Sequence, residues 1–363
     1  MTDILVIGGG VFGLSVAYAA VKAGLDVQVV DAEHPGAGAS GGIVGALTAH
    51  APTRWRPMMA FQFQALLDLP GRIAEIEAAT GLSAGYARTG RWTPLGTEKA
   101  RARAEADVDA APTTWGDRAA TAIIEDLPPE AQPWITPKAA RFGVQTDTIS
   151  ARIDPRAYVA ALAAAVGPDR ITQRKVLRVE PGFARTATGG LPARHIVLAA
   201  GWQGWDLVAA FDPALAGRGV KGQAALMRVA EAPAKVIYRE GIYVIPHATG
   251  LVAVGSTSEN HFDTSDVDEK LDHLIAQARH LSPALEGAEV VERWSGLRPK
   301  PPHREPVIGP IPGAPRVWIA GGGFKIGFGI AHAAGDALVA MIQGQETANP
   351  VPETFLPGAG KAG

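Results

Sequence analysis

The stretch "ILVIGGGVFGLSVAYAAVKAGLDVQVVD", Ile4 to Asp31, decides how this chain folds. Ile4 to Ile7 is a bare apolar run of the kind buried on both faces of a parallel sheet. Gly8-x-Gly10-x-x-Gly13 then opens an Ala-rich segment, which predicts a helix to about Ala23 that Gly24 stops. Val27 to Val30 reads as a second buried strand. The three glycines do different things, in that Gly8 permits the tight turn, Gly10 lets backbone approach a pyrophosphate, and Gly13 lets the helix lie against the strand. The helix N-terminus offers unpaired N–H groups and partial positive charge to a diphosphate, and Asp31 ends the second strand where an acid accepts hydrogen bonds from an adenosine ribose. Glycines alone would serve ordinary turns; the strand, helix, strand and terminal acid together specify a dinucleotide site.

Working outward, "GGGFKIGFGIAHAAGDAL", Gly321 to Leu338, repeats the device near the other end of the chain. A short β-type segment again meets a glycine run and an Ala-rich helical pattern, as one extended ligand touching both turns requires. Between them, "GAGASGGIVGALTAHAP", Gly36 to Pro52, shows no strand pattern and precedes a helical run from about Met58 to Ala79. A nicotinamide enzyme would continue its strand-helix units at once. Small residues instead let backbone lie along a flat isoalloxazine, with Ser40 and nearby N–H groups reaching phosphate or ring carbonyls. A loop acting as a lid is the other reading of such a segment.

Composition sets the limits. The 363 residues are 47% hydrophobic and 19% charged, which suits two soluble domains. A net charge of −2 supplies no basic field for nucleic acid and no polybasic patch for an anionic membrane. The absence of cysteine excludes disulfides, thiolate metal sites, a catalytic thiol and a cysteinyl cofactor link. None of the nine histidines has metal-ligand spacing with carboxylates, so no metal is expected. The first strand begins by Ile4 with no signal-peptide pattern, and apolar stretches are too short to span a membrane, so the expectation is a cytoplasmic protein.

The Gly8 to Asp31 unit, "GASGGIVGALTAH", "RHIVLAAGWQGWD" (Arg194 to Asp206), "GIYVIPHATGLVAVGST" (Gly241 to Thr257), "WSGLRPKPPHREPVIG" (Trp294 to Gly309) and "GGGFKIGFG" together resemble the glycine oxidase, sarcosine oxidase and D-amino acid oxidase superfamily of flavoproteins. The likeness runs through nearly the whole chain in order. It implies an α/β and α+β fold: a Rossmann-type FAD-binding domain from 1–50, 140–218 and 300–345, with an inserted, mainly antiparallel β-sheet substrate domain from 51–139 and 219–299. Residues 97–135 read as a surface excursion, and the Pro-rich end of the 346–363 tail as loose. The resemblance places non-covalent FAD against Gly8, Gly10, Val11, Phe12, Gly13, Asp31, Ala39, Ser40, Val44, Gly45 and Ala46. Val176 would meet the adenine through its backbone, Gly201 would follow the "LAAG" strand end, and Gly322, Gly323, Phe324, Ile326 and Gly327 would hold the far end. There a second helix N-terminus would stabilise negative charge at the reduced flavin N1 and C2 carbonyl.

The substrate residues are fewer. Arg298 in "SGLRP" follows a predicted strand and precedes a Pro, where its planar fork suits a carboxylate; a structural ion pair is the plainer reading of any Arg. By the resemblance Arg298 holds the substrate carboxylate and Tyr243 assists it. Lys325 looks like the Phe-Lys pair of monomeric sarcosine oxidases at a point where glycine oxidases commonly carry Arg. It would clamp that same carboxylate, serve a second one, or face the flavin carbonyl. His50 lies in the small-residue segment, where a lone His is usually a structural hydrogen-bonder. The implied chemistry is hydride transfer from Cα of a small amino acid or N-substituted glycine to flavin N5. The imine hydrolyses to a 2-oxo acid plus amine or ammonia, with hydrogen peroxide if oxygen is the acceptor. Alternatives are a dehydrogenase using a quinone or carrier, a non-catalytic flavin binder, and a flavin oxidoreductase acting on a carboxymethylaminomethyl group of tRNA, which the net charge disfavours.

Overall fold

The computed structural model describes residues 1–303 and 305–359. Two eight-stranded sheets form the scaffold, and the small-residue segment packs on the second through Val44 and Ala46. The first has the order Val307–Pro310, Val317–Gly321, Gly189–Leu198, Thr2–Ile7, Val27–Asp31, Ile171–Gln173, with Val176–Glu180 and Phe183–Thr186 attached as an antiparallel meander. Its centre is parallel, Thr2–Ile7 lying between Gly189–Leu198 and Val27–Asp31. Ile4 and Val6 are fully buried, as a central strand covered on both faces demands. The helices are α1 (Val11–Lys22), α2 (Pro57–Thr80), α3 (Glu98–Thr114), α4 (Pro155–Val166), α5 (Trp205–Ala209), α6 (Glu269–Leu281) and α7 (Gly327–Gln343).

Small residues bring α1 and α7 together on this sheet. A Cβ at Gly335 of α7 would sit 2.7 Å from the Ser15 backbone of α1. Helices α1, α2, α4 and α7 enclose the largest core cluster, which includes Leu14, Tyr18, Phe63, Leu66, Tyr158 and Ile330. His332 of α7 is buried there; its Nε2 donates to Ala65 O at 3.0 Å, while Nδ1 has no partner among the described residues. Burial holds its pKa down to about 3 against an ordinary 6.5. Protonation therefore favours the unfolded chain, so His332 costs nothing above pH 6.5 and destabilises progressively below it. Between pH 6.5 and 5 the loss should reach ~2 kcal/mol. Urea titrations at pH 7 and 5 should show a smaller acid loss in His332→Gln; equal losses would remove His332 from the account.

The second sheet runs Glu289–Lys300, Arg218–Arg228, Leu251–Gly255, Ile242–Pro246, Val236–Arg239, Arg91–Pro94, Val144–Asp147, Thr121–Ile124. All its pairings are antiparallel except that of Val236–Arg239 with Arg91–Pro94. The period-2 alternation divides its faces. Ala225, Met227, Val244, Val252 and Val254 meet Leu271, Leu274 and Ile275 of α6 on one side. Ile245, Ala253 and Tyr243 turn the other way, onto Val44 and Ala46 of the small-residue segment.

Several expectations need correction. Strand Val144–Asp147, expected in the cofactor domain, is hydrogen-bonded into the second sheet. Helix α2, expected in the substrate domain, contributes Phe61, Phe63, Leu66 and Leu69 to the core around α1 and α7. The expected surface excursion at 97–135 is built in: α3 is capped by Thr97, and Ala111 and Trp115 are buried, Trp115 stacking on Phe63 at 5.6 Å. The end of the tail is anchored where Phe355 is buried edge-on against Phe61. Residues 360–363 of that tail lie outside the described residues.

Candidate active site

A continuous cleft of about 1260 Å³ runs from the first glycine turn, between the two sheets, to the second. Every expected cofactor residue lines it except Gly13. Gly13 acts from behind: a Cβ there would fall 1.9 Å from Gly8 O, so only glycine lets α1 begin this close to the strand. Gly8 has φ +114°, and its own Cβ would strike Ala199 O at 2.5 Å. Helix α1 has no side-chain cap from Gly10; instead Ser40 Oγ accepts the Val11 N–H at 3.0 Å. The Ser40 proton stays free to donate, and the other first-turn N–H groups are orphans of helix geometry. Asp31 ties this turn together, its Oδ2 accepting the Gly9 N–H at 2.6 Å and Oδ1 that of Glu33 at 2.8 Å.

The second turn differs slightly from expectation. Helix α7 starts at Gly327, four residues after Gly323, and the intervening turn is closed by Ile326 N donating to Gly323 O at 2.7 Å. Phe324 adopts φ +42° at its corner, against the Lys325 and Lys300 ammonium groups at 5.6 and 5.9 Å from its ring centre. A Cβ at Gly323 would enter the Phe12 ring at 2.5 Å, so the two glycine turns are in direct packing contact. The cleft therefore fits a flat, elongated dinucleotide: backbone glycines cradle both ends, and Val44, Gly45 and Ala46 give it a smooth wall.

Three side chains expected at the substrate end, Tyr243, Arg298 and Lys325, line that cleft, as does His50. Arg298 is partly buried and has no ion pair among the described residues; the charges near it, Glu259 and Asp268, pair with Lys270 and Lys221. Burial lowers its pKa to about 10, with Glu259 opposing, which leaves it charged at neutral pH. Nη1 donates to Thr257 O at 3.0 Å. Its guanidinium lies across Gly222, where a Cβ would sit 2.0 Å from Nη1. Behind Thr257 is a polar network: its Oγ1 accepts from Gln223 N at 2.9 Å and donates to Glu259 Oε1 at 2.6 Å, and Glu259 Oε2 accepts from Lys270 at 2.8 Å. Buried Lys221 pairs with Asp268 at 2.6 Å in the same network. The carbonyl that holds Arg298 is thus itself fixed.

Burial raises the Tyr243 pKa, so its phenol remains a donor; Thr48 Oγ1 lies 3.2 Å away and Tyr238 packs on its ring at 4.6 Å. Gln62 Nε2 donates to Thr48 O at 3.1 Å, which points Gln62 Oε1 at His50 Nδ1. His50 therefore carries its proton on Nδ1 and keeps a lone pair on Nε2, and burial holds its pKa below the usual value. Burial also lowers Lys325, helped by Arg298 and Lys300. Sequence reasoning missed Gly222, the Thr257 network, Gln62 and Arg91. No motif marks Gly222, Gln62 or Arg91; Gln62 reaches the cleft from α2 and Arg91 from strand Arg91–Pro94, while Gly222 and Thr257 hold Arg298 from behind.

A glycine-cradled parallel sheet closed by an antiparallel sheet over a long dinucleotide cleft defines a flavin-type oxidoreductase. The chain belongs to the FAD-dependent oxidoreductase family, whose model matches residues 3–341, and FAD is its cofactor. It is 32% identical to a glycine oxidase of Pseudomonas putida, with 95% of each chain covered. It is 28% identical to a tRNA 5-methylaminomethyl-2-thiouridine biosynthesis bifunctional protein of Chromohalobacter salexigens over 85% of this chain and 45% of that one. The fold matches the crystal structure of glycine oxidase from Geobacillus kaustophilus, with a TM-score of 0.87, 21% identity, and 97% and 98% of the two chains covered. Among the described residues no helix is long and apolar enough to cross a membrane, and no group of three or more His, Cys, Asp or Glu is placed to hold a metal ion.

Proposed function

We propose that the chain oxidises a small amino acid or N-substituted glycine to an imine, which water converts to a 2-oxo acid plus amine or ammonia. The observation that carries this reading is Arg298: a partly buried guanidinium without an acidic partner among the described residues, held by Thr257 O and lining the cleft with the second glycine turn. A substrate carboxylate is the charge that site lacks. Tyr243 donates its phenolic proton to the same carboxylate. His50 Nε2 is the acceptor for an ammonium proton, freeing the nitrogen lone pair that drives loss of hydride from Cα. FAD, when bound, supplies the hydride acceptor at N5, and oxygen as terminal acceptor gives hydrogen peroxide. The small-residue wall and the second sheet exclude water while the residues orient the Cα–H bond.

Lys325 completes the carboxylate clamp in this reading, since α7 already brings positive charge to the flavin end. Lys325→Met should weaken a small carboxylate inhibitor about 10-fold with little change in the flavin spectrum. Unchanged inhibitor affinity with a lowered flavin potential would instead place Lys325 on the flavin carbonyl. The reading as a whole is tested by anaerobic flavin bleaching and aerobic peroxide release across a panel of amino acids and amines. A protein that no amine reduces, but that shifts tRNA in a salt-sensitive gel assay, would support the tRNA alternative.

A further inference from the structure

We infer that the cleft carries a second anion subsite built on Arg91, and that the preferred substrate is an amine bearing two carboxylates. This rests on the proposed amino acid oxidation and names its substrate class. Strand Arg91–Pro94 presents Arg91 and Thr93 to the cleft while Trp92 and Pro94 turn into the interior. Thr93 pairs with Gln145 across the sheet, and Gln145 also lines the cleft. The Arg91 side chain is anchored from behind: Nε lies 3.2 Å from Asp147 Oδ2, a Coulombic contact whose angle is not that of a hydrogen bond. Asp147 is already satisfied by Ile149 N at 3.2 Å, Ser150 N at 2.7 Å and Ser150 Oγ at 2.9 Å. It therefore fixes the guanidinium without enclosing it, and no hydrogen bond from either Nη is made within the described residues. The Tyr238 ring, 5.8 Å from Cζ, flanks it and in turn packs on Tyr243. The buried Thr93 hydroxyl has no partner among the described residues.

Unused donors give the class. The substrate end carries Arg298 and Lys325, which a single substrate carboxylate answers, and Arg91, whose charge Asp147 balances but whose Nη groups make no hydrogen bond among the described residues. Asp107 also lines this end, but its Oδ1 is taken by the Thr53 hydroxyl at 2.6 Å and backbone at 3.4 Å. The Arg91 Nη groups, with the unpartnered Thr93 hydroxyl and with Gln145, whose Nε2 also donates to Thr121 Oγ1 at 3.2 Å, form a fork of donors at the side of the cleft. A second carboxylate is the acceptor that matches this fork in hydrogen-bonding geometry.

The holoenzyme should be assayed by anaerobic flavin bleaching and peroxide release with glycine and sarcosine, with aspartate and glutamate of both hands, and with N-carboxymethylglycine. The best dicarboxylate should exceed glycine in kcat/KM by about 10-fold or more, and Arg91→Gln should lower that ratio about 30-fold, with Arg91→Lys between. Succinate should perturb the visible flavin band at lower concentration than propionate in wild type, and the difference should vanish in Arg91→Gln. Should Arg91→Gln fail to hold flavin, Thr93→Val should shift the same ratio in the same direction. Glycine preferred over every dicarboxylate, or a ratio unmoved by Arg91→Gln and Thr93→Val, overturns the subsite while leaving amino acid oxidation standing. Absence of bleaching by any amino acid overturns both.

Discussion

Gly13→Ala yields a protein that purifies colourless, with FAD affinity reduced by at least about 100-fold, because one methyl group cannot be placed without opening the cofactor turn. The added Cβ would lie 1.9 Å from Gly8 O, inside any van der Waals contact. Relief by moving Gly8 is blocked, since Gly8 holds φ +114° with the Ala199 carbonyl at 2.5 Å from its own Cβ position. The helix must therefore withdraw from the strand, taking its N-terminal charge and the Ser40 bond to Val11 away from the diphosphate. Gly24→Ala is the control: Gly24 has φ +73° but nothing within contact of a new Cβ, so that variant loses only ~1 kcal/mol of stability and stays yellow. Visible absorbance and a fluorescence titration with FAD distinguish the two. Stoichiometric FAD on Gly13→Ala would show that the turn is not what binds it.

The contrast between what was legible in the sequence and what was not follows sequence distance. The Gly8 to Asp31 unit was readable because turn, helix and strand are neighbours in the chain, and each glycine answers a local steric demand. The second turn was readable for the same reason, although the start of α7 at Gly327 was set by the Phe324 corner, which no composition signals. Helix α3 escaped because its buried positions are Ala104, Asp107 and Ala111, too small and polar to register as an apolar stripe. Strand Val144–Asp147 escaped because four residues pair only with the distant segments Arg91–Pro94 and Thr121–Ile124. Gly222 looks like an incidental strand glycine in "VKGQA". Only the pairing of Arg218–Arg228 with Glu289–Lys300 reveals that its missing side chain is the space occupied by Arg298. The resemblance supplied Arg298 and Tyr243; the support behind them depends on register.

Replacing Arg298 should remove catalysis while sparing the cofactor. In Arg298→Ala, kcat/KM for the best amino acid should fall about 100- to 1000-fold, the equivalent of ~3–4 kcal/mol for a lost bidentate, charge-assisted carboxylate contact. The visible spectrum and FAD stoichiometry should stay near wild type if, as proposed, the glycine turns hold FAD. Arg298→Lys should recover little, since an ammonium cannot make the planar two-point contact. Gly222→Ala is the sharper test, as it leaves the guanidinium in the chain but fills its place, with the new Cβ 2.0 Å from Nη1. If position rather than charge alone matters, Gly222→Ala should raise the dissociation constant of a small carboxylate inhibitor nearly as far as Arg298→Ala does. Glu259→Gln should act in the same direction more weakly, by loosening Thr257 and removing the acid whose field helps keep Arg298 protonated. An Arg298→Ala enzyme with wild-type inhibitor affinity would assign the guanidinium to the fold alone and leave the substrate carboxylate to Lys325 and Tyr243.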